Sequence, residues 1–98
     1  MKRLTYLLIA ETELTEAACF YDERQPGLGR RFLDAVREGK EQVRHHPDRW
    51  AFYEEPVRSY RLQTFPYRLL YRELPDRIQI VAVMHLSRHP DYWKDRLA

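Results

Sequence analysis

The side chains best suited to chemistry are arginines on alternating segments and one late histidine. Of 17 basic residues only Lys2, Lys40 and Lys94 are lysine, so the charge is carried by guanidinium forks. Such forks fit phosphate and carboxylate in two-point fashion. Residues 57–89 hold Arg58, Arg61, Arg68, Arg72, Arg77 and Arg88 against Glu73 and Asp76, whereas residues 10–23 hold five acids and no Lys or Arg. Successive strand residues point to opposite faces. Ser59 and Arg61 therefore share one face of their segment, Arg68 and Arg72 one face of the next, and Val81, Val83 and His85 one face of the last. If those faces coincide, Arg61, Arg68 and His85 lie on one surface near Arg88. That surface would suit a phosphodiester backbone, and His85 could move a proton near neutral pH. The plainer alternative is a solvated face whose arginines pair with the helix acids or with Glu54 and Glu55. Tyr92 and Trp93 follow Arg88 closely; Tyr92 is open to a role in the site, and Trp93 is assigned to packing.

Other reactive types carry less. His45 and His46 close a helix, where a cation suits the dipole. Cys19 falls off an apolar stripe and has no adjacent base, so it reads as an inert thiol. Gly27-x-Gly29 follows a helix and is too short for a nucleotide loop. No third ligand accompanies any histidine pair, so neither a metal nor another cofactor is expected.

The elements that must position these residues follow from periodicity. Residues 3–9 alternate with apolar residues on both faces and read as a strand inside a sheet. Ala10, Leu14, Ala17, Ala18 and Tyr21 then keep helical spacing over 11–24. Gln25-Pro26-Gly27 breaks that helix, and Leu28, Phe32, Ala35, Val36, Gly39 and Val43 form a second stripe over 28–46. So short a connection makes an antiparallel hairpin. Residues 47–56 read as a loop, residues 57–63, 67–73 and 77–86 as a three-strand meander, and Pro90 as the start of a short terminal helix. The expected class is α+β: an N-terminal strand, a two-helix hairpin on a mainly antiparallel sheet of about four strands, and a short C-terminal helix.

Length and composition agree with one domain over residues 1–98. A single cysteine excludes an intrachain disulfide. No apolar run approaches the roughly 20 residues of a membrane span, and no signal-peptide pattern opens the chain, so a cytoplasmic protein is expected.

The ordered segments Phe65-Pro66-Tyr67-Arg68-Leu69-Leu70-Tyr71-Arg72, Ile78 to His85, and Arg88-His89-Pro90-Asp91-Tyr92-Trp93 with Arg96 resemble the RelE/ParE superfamily of type II toxin–antitoxin toxins. Ala17-Ala18-Cys19-Phe20-Tyr21 and Gly27 to Leu33 are similar to its helical hairpin. The resemblance implies a growth-arresting toxin neutralised by a cognate antitoxin, in a hetero-oligomer with no membrane role. It implies one of two targets. RelE-like members cleave messenger RNA on the ribosome without metal, and ParE-like members poison DNA gyrase. An inactive member that only binds antitoxin is a third outcome. By this resemblance Arg68 matches a phosphate-contacting Arg of the RNases and Arg88 the Arg that stabilises their transition state. Arg61 and Ser59 stand where those enzymes carry lysines, and Tyr92 lies near the position of a catalytic Tyr. Arg61, Arg68, His85, Arg88 and Tyr92 are thus the candidate catalytic set of an endoribonuclease. The Arg-x-Pro-x-Tyr-Trp ending is nearer to ParE-like sequences. An antitoxin segment with apolar anchors and acids is expected along the hairpin, with strand addition at a sheet edge as the other route.

Overall fold

The computed structural model describes residues 1–97. In chain order the elements are β1 (Arg3–Tyr6), α1 (Leu8–Arg24), α2 (Leu28–His45), β2 (Phe52–Glu54), β3 (Val57–Arg61), β4 (Tyr67–Glu73), β5 (Arg77–His85) and a 3-10 turn over Lys94–Leu97. The five strands form one sheet ordered β1-β5-β4-β3-β2. β1 runs parallel to β5, and the remaining neighbours are antiparallel. The α+β architecture and its hairpin are as the periodicity predicts.

The structure differs from the expected elements at five points. β1 ends at Tyr6 because Leu7 serves two elements: its N–H donates to Ile80 O, and its carbonyl accepts the Glu11 N–H that opens α1. The sheet has a fifth strand, β2, inside the segment expected as a loop. Three residues are too few to show a period of two, and β2 is held by tertiary contacts. Arg58 stacks on the Phe52 ring at 3.9 Å and donates to Trp50 O at 2.7 Å. β3 stops at Arg61 and β5 at His85, short of Gln63 and Leu86. The terminal helix is a 3-10 turn, closed by bonds three residues apart such as Arg96 N to Trp93 O.

Both helices lie on one face of the sheet. The α1 stripe buries Ala10 and Ala17, and α2 buries Phe32, Val36 and Val43 against Leu69, Tyr71, Ile78 and Ile80. The hairpin turn depends on Gly27, whose φ of 90° favours glycine, and on Asp22, which accepts the Gly27 and Gly29 N–H groups. A Cβ on Gly29 would strike the Ala18 carbonyl, so this glycine sets how closely the helices approach.

The second face is part covered and part open. Trp93 is buried there on Val57, Leu70, Val81 and Met84, which ties residues beyond β5 across the sheet. The feature that most affects the site is a bulge in β5. Leu70 opposes Ala82 and Tyr71 opposes Ile80, which leaves Val81 as an extra residue. Ile78 and Ile80 face the helices, Val81 and Ala82 both join the second-face cluster, and Val83 faces the helices again.

Candidate functional site: a cationic sheet face and an edge cleft

On the second face Arg61 of β3 directly opposes Arg68 of β4, and Ser59 opposes Leu70. Arg68 Nη1 donates to Ser59 Oγ at 3.2 Å, and its guanidinium carbon lies 5.4 Å from the centre of the Tyr53 ring. Its Nε is buried without a partner. Further along the same face Arg72 Nε donates to Gln79 Oε1 at 2.9 Å. Among the described residues no carboxylate lies within ion-pair distance of Arg61, Arg68 or Arg72. Glu54, one acid offered as their partner, is taken by Lys94 at 2.9 Å. The face therefore presents guanidinium groups with spare donors, which suits an anionic surface of a partner.

His85 is elsewhere. Arg68 opposes Met84, so His85, one residue on, points to the helix side, where it opposes Tyr67. Its ring meets the Tyr67 ring edge-on at 5.0 Å. The expected single surface holding Arg61, Arg68 and His85 does not form. The physical reason is the Val81 bulge: a one-residue slip exchanges the faces of everything beyond it, so Val81 no longer shares a face with Val83 and His85.

His85 and Arg88 instead line a cleft of about 250 Å³ with Glu13, Glu16, Phe20 and Tyr67. His85 Nδ1 accepts the Ser87 N–H at 3.0 Å and lies 2.8 Å from Ser87 Oγ. Arg88 stacks on the Tyr92 ring at 4.0 Å. The Tyr92 hydroxyl donates to Glu13 Oε2 at 2.7 Å. Burial, and then this bond to a carboxylate, hold the Tyr92 phenol well above its ordinary value. The Tyr67 phenol is also raised, chiefly by burial and then by neighbouring Tyr21 and Glu13.

Glu13 is the centre of this end. Arg96 grips it through both nitrogens, Nη1 to Oε1 at 2.8 Å and Nη2 to Oε2 at 2.9 Å. Its Oε1 also accepts the Val83 N–H at 3.1 Å, while Arg96 Nη1 donates to Val81 O at 3.0 Å. β1 pairs only with residues 77–80, so these two side chains satisfy backbone groups of β5 beyond it. In the sequence Glu13 counts only among the five acids of residues 10–23. A sharper signal was present. Glu13 stands three residues after Ala10 and four before Ala17, on the buried stripe itself, and an acid there requires a buried cationic partner.

Cys19 is exposed and unpaired, and Gly27-x-Gly29 is the hairpin connection. No helix among the described residues is long and apolar enough to cross a membrane.

Against known proteins, residues 5–90 match the family described as "ParE toxin of type II toxin-antitoxin system, parDE". The fold is similar to a solved chain from the chromosomal ParDE TA system of P. aeruginosa. That match has a TM-score of 0.65 at 23% identity and spans 87% of this chain and 96% of the other. No curated protein sequence matches.

Proposed function

This chain belongs to the ParE toxin family of type II toxin–antitoxin systems, and from that premise we propose that it arrests growth by binding DNA gyrase, without cutting nucleic acid. The gyrase target comes from the family likeness. The non-catalytic character is supported by one observation, the separation of the candidate cations from the candidate proton carriers. Metal-free RNA cleavage needs a base on the attacking 2′-OH, cations on the phosphorane-like charge and an acid on the leaving oxygen, all within hydrogen-bond reach of one phosphodiester. Here Arg61 and Arg68 lie on one face of the sheet, while His85 opposes Tyr67 on the other. The Tyr92 hydroxyl already donates its hydrogen bond to Glu13, and burial with that bond keeps the phenol protonated, so no phenolate is on hand to act as a base. Arg88 alone accompanies His85 in the cleft as a cation.

Arg61 and Arg68 are proposed as the contacts to the target, because no carboxylate among the described residues consumes their donors. The partner that neutralises the protein is an antitoxin, as the ParDE family implies. The test is a supercoiling assay with purified gyrase and stoichiometric toxin, run beside messenger RNA with translating ribosomes. Loss of supercoiling or accumulation of cleaved DNA complex, with RNA intact, is the expected result. RNA breakage that disappears in Arg68→Ala, with supercoiling unaffected, would return the endoribonuclease reading.

A further inference from the structure

We infer that the cleft between β1 and the C-terminal half of α2 binds the di- or triphosphate group of a small molecule. Arg3, Leu4, Lys40, Glu41 and Arg44 line this cleft, whose volume is about 290 Å³. That is at the small end of ligand pockets and suits a compact anion. Helical spacing puts Arg37, Lys40 and Arg44 along one side of α2, and β1 brings Arg3 beside the last two. Neighbouring cations have carboxylate partners: Lys2 has Glu73 at 3.0 Å, Arg37 has Asp34 at 2.9 Å and Arg77 has Asp76 at 2.8 Å. Among the described residues neither Arg3 nor Lys40 has a carboxylate within ion-pair distance.

Two further observations favour added negative charge here. Lys40 rests its ammonium 5.1 Å from the Tyr6 ring centre. Burial first, and then Arg37, lower that ammonium below its ordinary value against the opposing pull of Glu41. Arg44 Nη1 donates to Glu41 at 2.9 Å, while its Nε is buried without a partner. Like charges at helical spacing repel, so an anion that bridges Arg3, Lys40 and Arg44 relieves a cost the helix otherwise carries. Glu41 sets the charge the ligand must bring. Its carboxylate stands in the wall of the cleft and opposes any anion, as does the C-terminal end of α2 close by. A single carboxylate gains too little against both. A di- or triphosphate carries several charges, and its oxygens accept from two guanidinium forks and an ammonium together.

In the sheet β5 separates β1 from the β4 and β3 strands that carry Arg68 and Arg61, and the site does not rest on the gyrase proposal. The test is calorimetric titration of the intact chain with pyrophosphate, tripolyphosphate and adenosine triphosphate at about 0.15 M salt, where weak surface attraction is screened. Saturable binding is expected, tighter for tripolyphosphate than for pyrophosphate, with shifts of the Leu4, Lys40 and Glu41 amide resonances. Adenosine triphosphate binding tighter than tripolyphosphate would assign the group to a nucleotide, and equal binding would assign it to the phosphate chain alone. Double replacement Arg3→Gln with Lys40→Gln should weaken binding by about tenfold or more, while the melting curve stays cooperative. Glu41→Gln should tighten it. Three results would overturn the inference. One is absence of saturable binding to the folded wild-type chain, and the second is equal binding of acetate. The third is affinity kept by the Arg3 and Lys40 double variant but lost in Arg61→Gln with Arg68→Gln, which would put the anion on the other cationic surface.

Discussion

At the Glu13 end one carboxylate accepts four hydrogen bonds, from Val83 N–H, the Tyr92 hydroxyl and both terminal nitrogens of Arg96. Across the sheet Arg68 has one side-chain bond, to Ser59, and an unsatisfied Nε. Both regions are built from charged side chains on a small domain, yet they treat charge in opposite ways. In the first, every donor around Glu13 is matched, and the acid and base are 14% and 10% exposed. Such a network leaves little for a ligand to gain, and its role is to tie residues 92–96 to α1 and β5. In the second, the described residues supply no neutralising carboxylate, so an external anion gains what the fold does not use. The difference separates the charges that hold the C-terminal segment from those available to a target.

That contrast breaks first, and most visibly, at Glu13. Glu13→Ala removes the acceptor and leaves Arg96 charged and largely buried. Breaking one side of a buried pair typically costs about 3–5 kcal/mol. Urea unfolding should show a loss of that order, and exchange of the Val83 amide should rise because its acceptor is gone. A change under about 1 kcal/mol would mean that Arg96 finds water at little cost, and the distinction between the two regions would fail.

Tyr92 sharpens the same contrast through pH. Its phenol is raised above the ordinary value of 10.0, first by burial and then by the Glu13 hydrogen bond. The folded state therefore keeps this proton where the unfolded chain would release it. The resulting stabilisation is whole below about pH 10 and falls as pH rises further. Tyr92→Phe should cost about 1.5–3 kcal/mol near neutral pH, the usual worth of a hydrogen bond to a charged group. The gap between wild type and variant should then narrow above about pH 10. Tyr71, whose hydroxyl donates to Pro47 O, is also raised and contributes alkaline sensitivity of its own. The difference between the two unfolding curves is thus the quantity to follow. A gap that stays constant into the alkaline range would remove Tyr92 from the latch.

Much of this arrangement was legible in the sequence, because it rests on local pattern. The α1 and α2 stripes, the Gly27 break and the meander follow from spacing, whereas alternation left the Arg61–Arg68 pairing conditional until the register of β3 on β4 supplied it. His85 was misplaced because a bulge leaves no periodic trace. Val81, Ala82 and Val83 are all small and apolar and would suit either face, so only the pairing with Leu70 and Tyr71 reveals the slip. β2 escaped because three residues held by a stacked Arg58 carry no period. Arg96 escaped as a structural residue because its partner is 83 positions away. Glu13, by contrast, broke an apolar stripe in plain view.

The smallest expected change in stability falls on the cationic face, where it does the most to test function. Arg61 is exposed and has no ion-pair partner among the described residues, so Arg61→Ala should move unfolding by no more than about 0.5 kcal/mol. Arg68→Ala should cost somewhat more, since its guanidinium lies over the Tyr53 ring and donates to Ser59. If these two side chains meet the target, the double variant should keep its melting curve and antitoxin binding yet inhibit supercoiling at least about tenfold less. A double variant as unstable as Glu13→Ala would show that the open face also holds the fold. A stable variant with full inhibition would move the contact to another surface, and Arg88 is the next cation to replace, because it lines the cleft with His85 and stacks on Tyr92.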